Sequence, residues 1–277
     1  MAGWHAPIDT PERVSWTCPL GLRFFDVASG LTVHYGLSVE ATPEIGLGHT
    51  ITSVLTPSGV HAFPKLPGIP TIDRADAVDP WNPFPVTRPF RIRVVDTLDR
   101  FLPCTFVIDA PFKGLDSPLI LGSPPWSDPR GIPLFSAPAR TAPAGFVLAR
   151  AELRQFDRTE PAAFALVEIS YPSAGKTFVA RGMSDAQGML VILFPLPEGP
   201  RRGFGGSPPA NTPQWPGSLA FFHDASLPTD ETADYGFRLT QPVATAFRDG
   251  SPALSISEIL LTYGEENNLG ALDLAPV

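Results

Sequence analysis

Two cysteines in 277 residues are too few for the disulfide framework of a small secreted domain. Cys18 in SWTCPL and Cys104 in FLPCTFVI sit in apolar settings that predict buried free thiols, with a Cys18–Cys104 disulfide as the alternative. Positive charge is also scarce: 20 Lys and Arg against 28 Asp and Glu leave a net charge of -8. Basic pairs occur only at Arg91/Arg93 and Arg201/Arg202, which argues against a phosphate-neutralising nucleic-acid surface. Long apolar runs are missing, since none approaches the roughly 20 residues of a membrane-spanning helix. The opening stretch MAGWHAPIDTPERVSW has no basic region followed by an apolar one, so synthesis in the cytoplasm without a signal peptide is expected. Helix signals are poor almost everywhere, with proline recurring through the chain.

What the chain does have is 43% hydrophobic residues, enough for substantial cores, punctuated by 34 Pro and 24 Gly. Between these breakers lie LTVHYGLSVEAT, PFRIRVVDTLDRFLPCTFVIDA, FVLARAELRQF, AAFALVEISYP, KTFVARGMS, GMLVILFPL and GSLAFFHD, rich in Val, Ile, Phe and Thr. In RIRVVD, Ile92 and Val94 alternate with Arg91, Arg93 and Val95, the period of two that a half-buried strand requires. Many short strands joined by turn residues predict an all-β chain of sandwich type. The best helix candidate is SISEILLTYGEEN, whose Ser255, Ile256, Ile259 and Leu260 suit a final strand equally well.

Two stretches resemble each other. Thr56–Gly68 reads TPSGVHAFPKLPG, and about 130 residues on, Ser184–Gly199 reads SDAQGMLVILFPLPEG; both run through a polar turn, a Gly, an apolar strand, Leu-Pro and a closing Gly. The Gly-to-Leu spacing differs by one residue, so a bulge or register change is expected in one copy. Strand candidates flank both in the same order, which predicts a tandem duplication of one sandwich unit. The expected organisation is an N-terminal arm over 1–16, a first sandwich over 17–112, an ordered Pro/Gly-rich connection over 113–144, and a second sandwich over 145–277 with an exposed loop at 198–217.

The pattern of polar turn, Gly, apolar strand, Leu-Pro and Gly, preceded by a strand such as AAFALVEI, resembles the transthyretin-like or carboxypeptidase regulatory-like β-sandwich, an immunoglobulin-like fold. The second copy has Leu190 where that family has an aromatic residue, and the first lacks an acidic residue in its turn. This resemblance implies a fold and is silent about activity. Over the whole chain, LRFFDVASG, SGVHAFPKLPG, RPFRIRVVDTLDRFLPCTFVIDAPFKGL and PLFSAPARTAPAGFVLARAEL are similar to proteins encoded among the sheath, tube and baseplate genes of bacterial extracellular contractile injection systems, relatives of phage tails. That similarity implies a non-enzymatic structural or accessory part of such a particle, released by lysis. Its partners would be sheath, tube, cap or baseplate proteins, and no cofactor or catalytic residue is implied.

Catalytic patterns are not apparent. His5, His34, His49, His61 and His223 are isolated, with no HxH and no Glu three residues after any of them, so neither a non-haem iron site nor a zinc carboxypeptidase site is expected. His61 reads as a structural residue of a strand. His223 and Asp224 lie next to Ser226, yet no GxSxG elbow presents a nucleophile. Asp73, Asp76 and Asp79 lack the glycine and terminal glutamate of a calcium loop and read as a solvated acidic segment. Trp4, Trp81, Phe84, Trp126 and Trp215 fall in Pro-rich connections, either folded back on sandwich edges or exposed. The candidate contact residues are Trp126, Trp215, Arg201, Arg202 and Phe204, as protein anchors or, in the alternative reading of a carbohydrate-binding or adhesion module, as platforms for sugar rings.

Overall fold

A computed structural model describes residues 18–46, 48–69, 87–112, 131–156, 160–173, 175–196, 214–229, 234–248, 251–252, 259–262 and 266–276. The first half folds as two four-stranded sheets. One has the order β4 (Val54–Leu55), β5 (Val60–Phe63), β1 (Leu20–Asp26), β8 (Ile132–Leu134); the other has β3 (Ile51–Thr52), β2 (Leu37–Pro43), β6 (Arg88–Asp96), β7 (Cys104–Ala110). Alternation decides which faces meet: in β6, Phe90, Ile92 and Val94 are buried, whereas Arg91 and Arg93 stay outside. Proline is tolerated where a strand begins, as at Pro89, and on the edge.

The second half is one nine-stranded sheet. Its main path is β11 (Lys176–Met183), β10 (Leu166–Ser173), β13 (Gln214–Phe222), β14 (Val243–Arg248), β17 (Glu266–Pro276), β9 (Phe146–Gln155), β12 (Met189–Pro195); β15 (Ser251–Pro252) pairs with β14 and β16 (Ile259–Thr262) with β13. The chain is thus all-β, and its only helix among the described residues is α1 (Tyr235–Leu239).

The two halves repeat one pairing scheme residue by residue. In the first, β1 and β5 run antiparallel with Leu20 opposite Phe63 and Arg23 opposite Val60; in the second, Ala149 opposes Ile192 and Glu152 opposes Met189, at the same offset along the chain. The bridge Phe25–Thr32 has its counterpart in Arg154–Pro161. Parallel strands close both: β8 lies on β1 and β17 on β9. The turns that open the repeated stretches are equivalent too. Gly59 N–H donates to Thr56 O and Thr56 N–H to Val60 O, just as Gly188 N–H donates to Asp185 O and Asp185 N–H to Met189 O. Thr56 Oγ1 and Asp185 Oδ1 each accept the N–H four residues on, at 3.1 and 2.8 Å. Gly59 and Gly188 have φ of 76 and 77°, the left-handed conformation for which glycine carries no steric cost. The expected bulge is not found within these pairs, which keep register throughout. The extra residue of the second copy falls beyond Phe63 and Ile192, where β12 runs on to Pro195 and β5 has ended.

One expectation needs correction and others gain detail. The ordered connection expected over 113–144 includes β8, where the apolar Ile132, Pro133 and Leu134 pair with β1 and are buried. Trp215 lies inside β13, opposite Leu261, rather than in a connection. The SISEILLTYGEEN segment contributes strand β16 at Ile259–Thr262. Both cysteines are free: Cys18 donates its thiol to Leu20 O, and burial pushes the Cys104 thiol up to about 12, against the opposing charge of Arg238. Residues 1–16, the 198–213 part of the second-half loop, and Asp73, Asp76 and Asp79 lie outside the described residues.

α1 couples the halves. Its cap residue Asp234 accepts from Gly236 N–H through Oδ1 and from Val107 N–H of β7 through Oδ2. Tyr235, fully in the interior, donates its hydroxyl to Pro133 O at 2.8 Å. Phe164, Leu166, Met183, Tyr235 and Leu239 of the second half belong to the same apolar cluster as Phe101, Leu102, Cys104 and Phe135 of the first. A separate cluster fills the rest of the second half.

Candidate functional site

A cavity of about 510 Å³ opens at one end of the first half. Three separate loops build it: the segment after β1, the β6–β7 turn, and the stretch after β8. Each loop is pinned by an Asp–Arg pair. Arg140 Nη1 and Nη2 donate to Asp26 Oδ1 and Oδ2 at 2.9 and 2.7 Å, and Nη1 also reaches Ser136 Oγ. Burial would raise the Asp26 pKa, yet the Arg140 hydrogen bonds and charge, with help from Ser29, hold it below the usual carboxylate range. Arg100 Nε and Nη2 donate to Asp96 at 3.0 Å each, and Nη2 to Tyr35 O at 2.6 Å. The bonds to Asp96 raise the Arg100 pKa. Both guanidinium groups lie over the Phe101 ring, at 5.1 and 4.8 Å, and Arg100 also lies 4.8 Å from the Tyr35 ring centre. Paired and stacked in this way, the two arginines are fixed rather than free to swing.

A second, smaller cleft of about 280 Å³ is mostly apolar and is lined by β11 and β12 together with Val27 and Ala28 of the first half. Phe178 and Val179 line it from β11, and Phe194, Pro195 and Leu196 from β12 and its end. Lys176, Thr177, Phe178 and Val179 are all exposed, so this part of the edge strand has neither face covered.

The residues singled out from sequence are not brought together. Trp215 is buried, 8% exposed, and so is closed to a partner or a sugar ring. Trp126, Arg201, Arg202 and Phe204 fall outside the described residues. His61 is buried with Nδ1 3.0 Å from Ser53 Oγ, a structural role, and burial lowers its pKa to about 4. His223 is buried as well, and Ser226 Oγ donates to Asp224 Oδ1 at 2.6 Å rather than serving His223. Among the described residues no three His, Cys, Asp or Glu side chains gather as a metal site. Sequence reading did not find the cavity, because its residues come from positions 26–35, 98–101 and 139–143; the Asp-x-x-Ser of DVASG and the Asp-Arg of DTLDR are its only local signals.

The fold and these sites define an all-β protein of several packed sheets with, among the described residues, a cleft lined by paired arginines and a smaller apolar one. No protein-family model and no curated protein matches the chain. Among solved structures it is similar to a streptococcal ancillary pilin, at 11% identity over 94% of this chain and 63% of that one, with a TM-score of 0.23. It is also similar to a 9R-lipoxygenase from Cyanothece, at 15% identity over 49% of this chain and 18% of that one, with a TM-score of 0.22. The chain spans less than two thirds of the length of either, and likeness at this level carries no argument about activity.

Proposed function

We propose that the protein is a non-enzymatic structural or accessory component of a phage-tail-like contractile injection particle, acting through protein–protein contacts. The observation that supports contact formation is the outer half of β11, where Phe178 and Val179 are 44 and 42% exposed on a strand edge that pairs with β10 on one side only. An edge with free backbone groups and uncovered apolar side chains accepts an added strand from a partner. The other feature in its favour is the resemblance, read from the sequence alone, of LRFFDVASG, SGVHAFPKLPG and RPFRIRVVD to proteins of such gene clusters; it motivates the kind of particle, whereas the edge motivates the manner of contact.

The test is recovery of the tagged full-length chain from its native host, with mass spectrometry and negative-stain imaging of what accompanies it. Sheath, tube, cap or baseplate proteins on rod-like particles are the expected result, and a Phe178→Ser, Val179→Ser double variant is expected to lose them while staying folded. Recovery of a free monomer under gentle lysis, with none of these proteins attached, overturns the reading.

A further inference from the structure

We propose that the cavity at the end of the first half is a binding site for an uncharged carbohydrate, with Tyr35 as the stacking surface. This inference goes beyond the particle reading and does not depend on it.

The volume falls in the range of small-molecule sites, roughly 300–1,000 Å³, at about 510 Å³. Its mouth and its floor differ in chemistry. Leu31, Tyr35 and Leu98 line it and are 68, 65 and 52% exposed. Single exposed apolar residues are ordinary, but three large ones around one cavity mark a place to be covered. Behind them the walls are polar, with Arg100, Arg140 and Asp99 among the lining groups.

The charges narrow the ligand. Asp26, Asp96 and Asp99 stand against Arg100 and Arg140, so no surplus of positive charge favours a phosphate or a carboxylate. Two fixed guanidinium groups likewise disfavour a cation. An uncharged molecule with many hydroxyl groups is the class that such a wall suits, because the arginines keep unused donors in fixed places. The bonds of Arg100 employ Nε and Nη2 and leave Nη1; those of Arg140 employ Nη1 and Nη2 and leave Nε. Donors held by existing ion pairs lose little entropy when a ligand arrives. The Asp99 carboxylate, on a residue with φ of 52°, adds an acceptor. A non-glycine residue in the left-handed region marks a loop shape maintained against local strain.

The repeat supplies an internal comparison. At the position of Tyr35 the second half has Phe164, which is buried with the Arg238 guanidinium 3.4 Å from its ring centre. There the fold fills the place with its own helix. In the first half the equivalent ring carries Arg100 in the place of Arg238 and is still 65% exposed, so a C–H face of a pyranose can stack on the part left open.

The experiment is a glycan array of neutral and charged saccharides probed with the full-length protein, followed by calorimetric titration of the best neutral ligand and of inorganic phosphate. A neutral saccharide is expected to bind and phosphate is not. Tyr35→Ala and Asp99→Asn are each expected to weaken that binding about tenfold or more, the equivalent of about 1.4 kcal/mol, with the melting temperature of Asp99→Asn unchanged. If Tyr35→Ala fails to fold, Asp99→Asn and Leu31→Ser decide. Absence of any neutral ligand, binding of anions alone, or neutral binding that is indifferent to both Tyr35→Ala and Asp99→Asn overturns the proposal.

Discussion

Gly59 and Gly188 hold the same turn position in the two halves, yet a side chain added to each meets different neighbours. At Gly188 a Cβ would overlap the Leu153 backbone carbonyl oxygen, which accepts from Ala162 N–H, belongs to a strand paired with β17 and so is held in place. At Gly59 it would meet the His34 ring, a side chain that is exposed and can swing away. Both substitutions incur the left-handed penalty of roughly 1–2 kcal/mol, and only Gly188→Ala adds a backbone clash. Urea unfolding is therefore expected to show Gly188→Ala losing clearly more stability than Gly59→Ala; equal losses would mean that the two turns are not held alike. His61 gives a second prediction at this scale. Its burial lowers its pKa to about 4 from 6.5, so the unfolded chain takes up a proton that the folded chain refuses. The stability this group allows is present above pH 6.5 and is lost as the pH falls from there toward 4. Burial lowers the His223 pKa too, with Asp224 opposing. The urea midpoint is expected to drop over this window, and a His61→Phe variant to show a shallower drop, with the remainder due to His223.

Elements with a strong period were legible in the sequence. Arg91 and Arg93 set the outward face of β6 by charge alone, and the Gly-centred turns before β5 and β12 were visible because a polar cluster followed by Gly has few other uses. The repeat was visible for the same reason, although its exactness rests on registers that no single sequence displays. β8 was missed because three residues with a proline in the middle give no period, and they become a strand only through pairing with β1. α1 was missed because five residues are too short for a helical pattern; it exists through its contacts. Asp234 bears two of these, capping α1 and accepting from Val107 N–H, and Tyr235 adds a bond to Pro133. Asp234→Ala is expected to cost about 1–2 kcal/mol and Tyr235→Phe about 1 kcal/mol, measured by thermal or urea unfolding. The cavity was the least legible feature, since Asp26 and Arg140 are distant in sequence and nothing around either announces the other.

At the scale of the molecule, the duplication did not yield two independent beads. A free-standing sandwich would bury its apolar residues within its own sheets, but here Phe164, Leu166, Met183, Tyr235 and Leu239 complete a cluster that begins with Phe101, Leu102 and Phe135. The second half differs from the first in the way this junction requires: the place that is an open polar cavity in one is a buried aromatic under Arg238 in the other. The first half should therefore not be self-sufficient. A fragment of residues 1–144 loses every second-half member of the shared cluster and turns an interior face toward water, at a cost of roughly 25 cal/mol for each Å² of apolar surface uncovered. It is expected to bind a hydrophobic dye and to elute as an aggregate in size-exclusion chromatography, whereas the full chain does neither. A monomeric fragment that unfolds cooperatively at the temperature of the intact chain would show that the junction is a contact between finished units, and the strain on any partner at the β11 edge would then be borne by the second half alone.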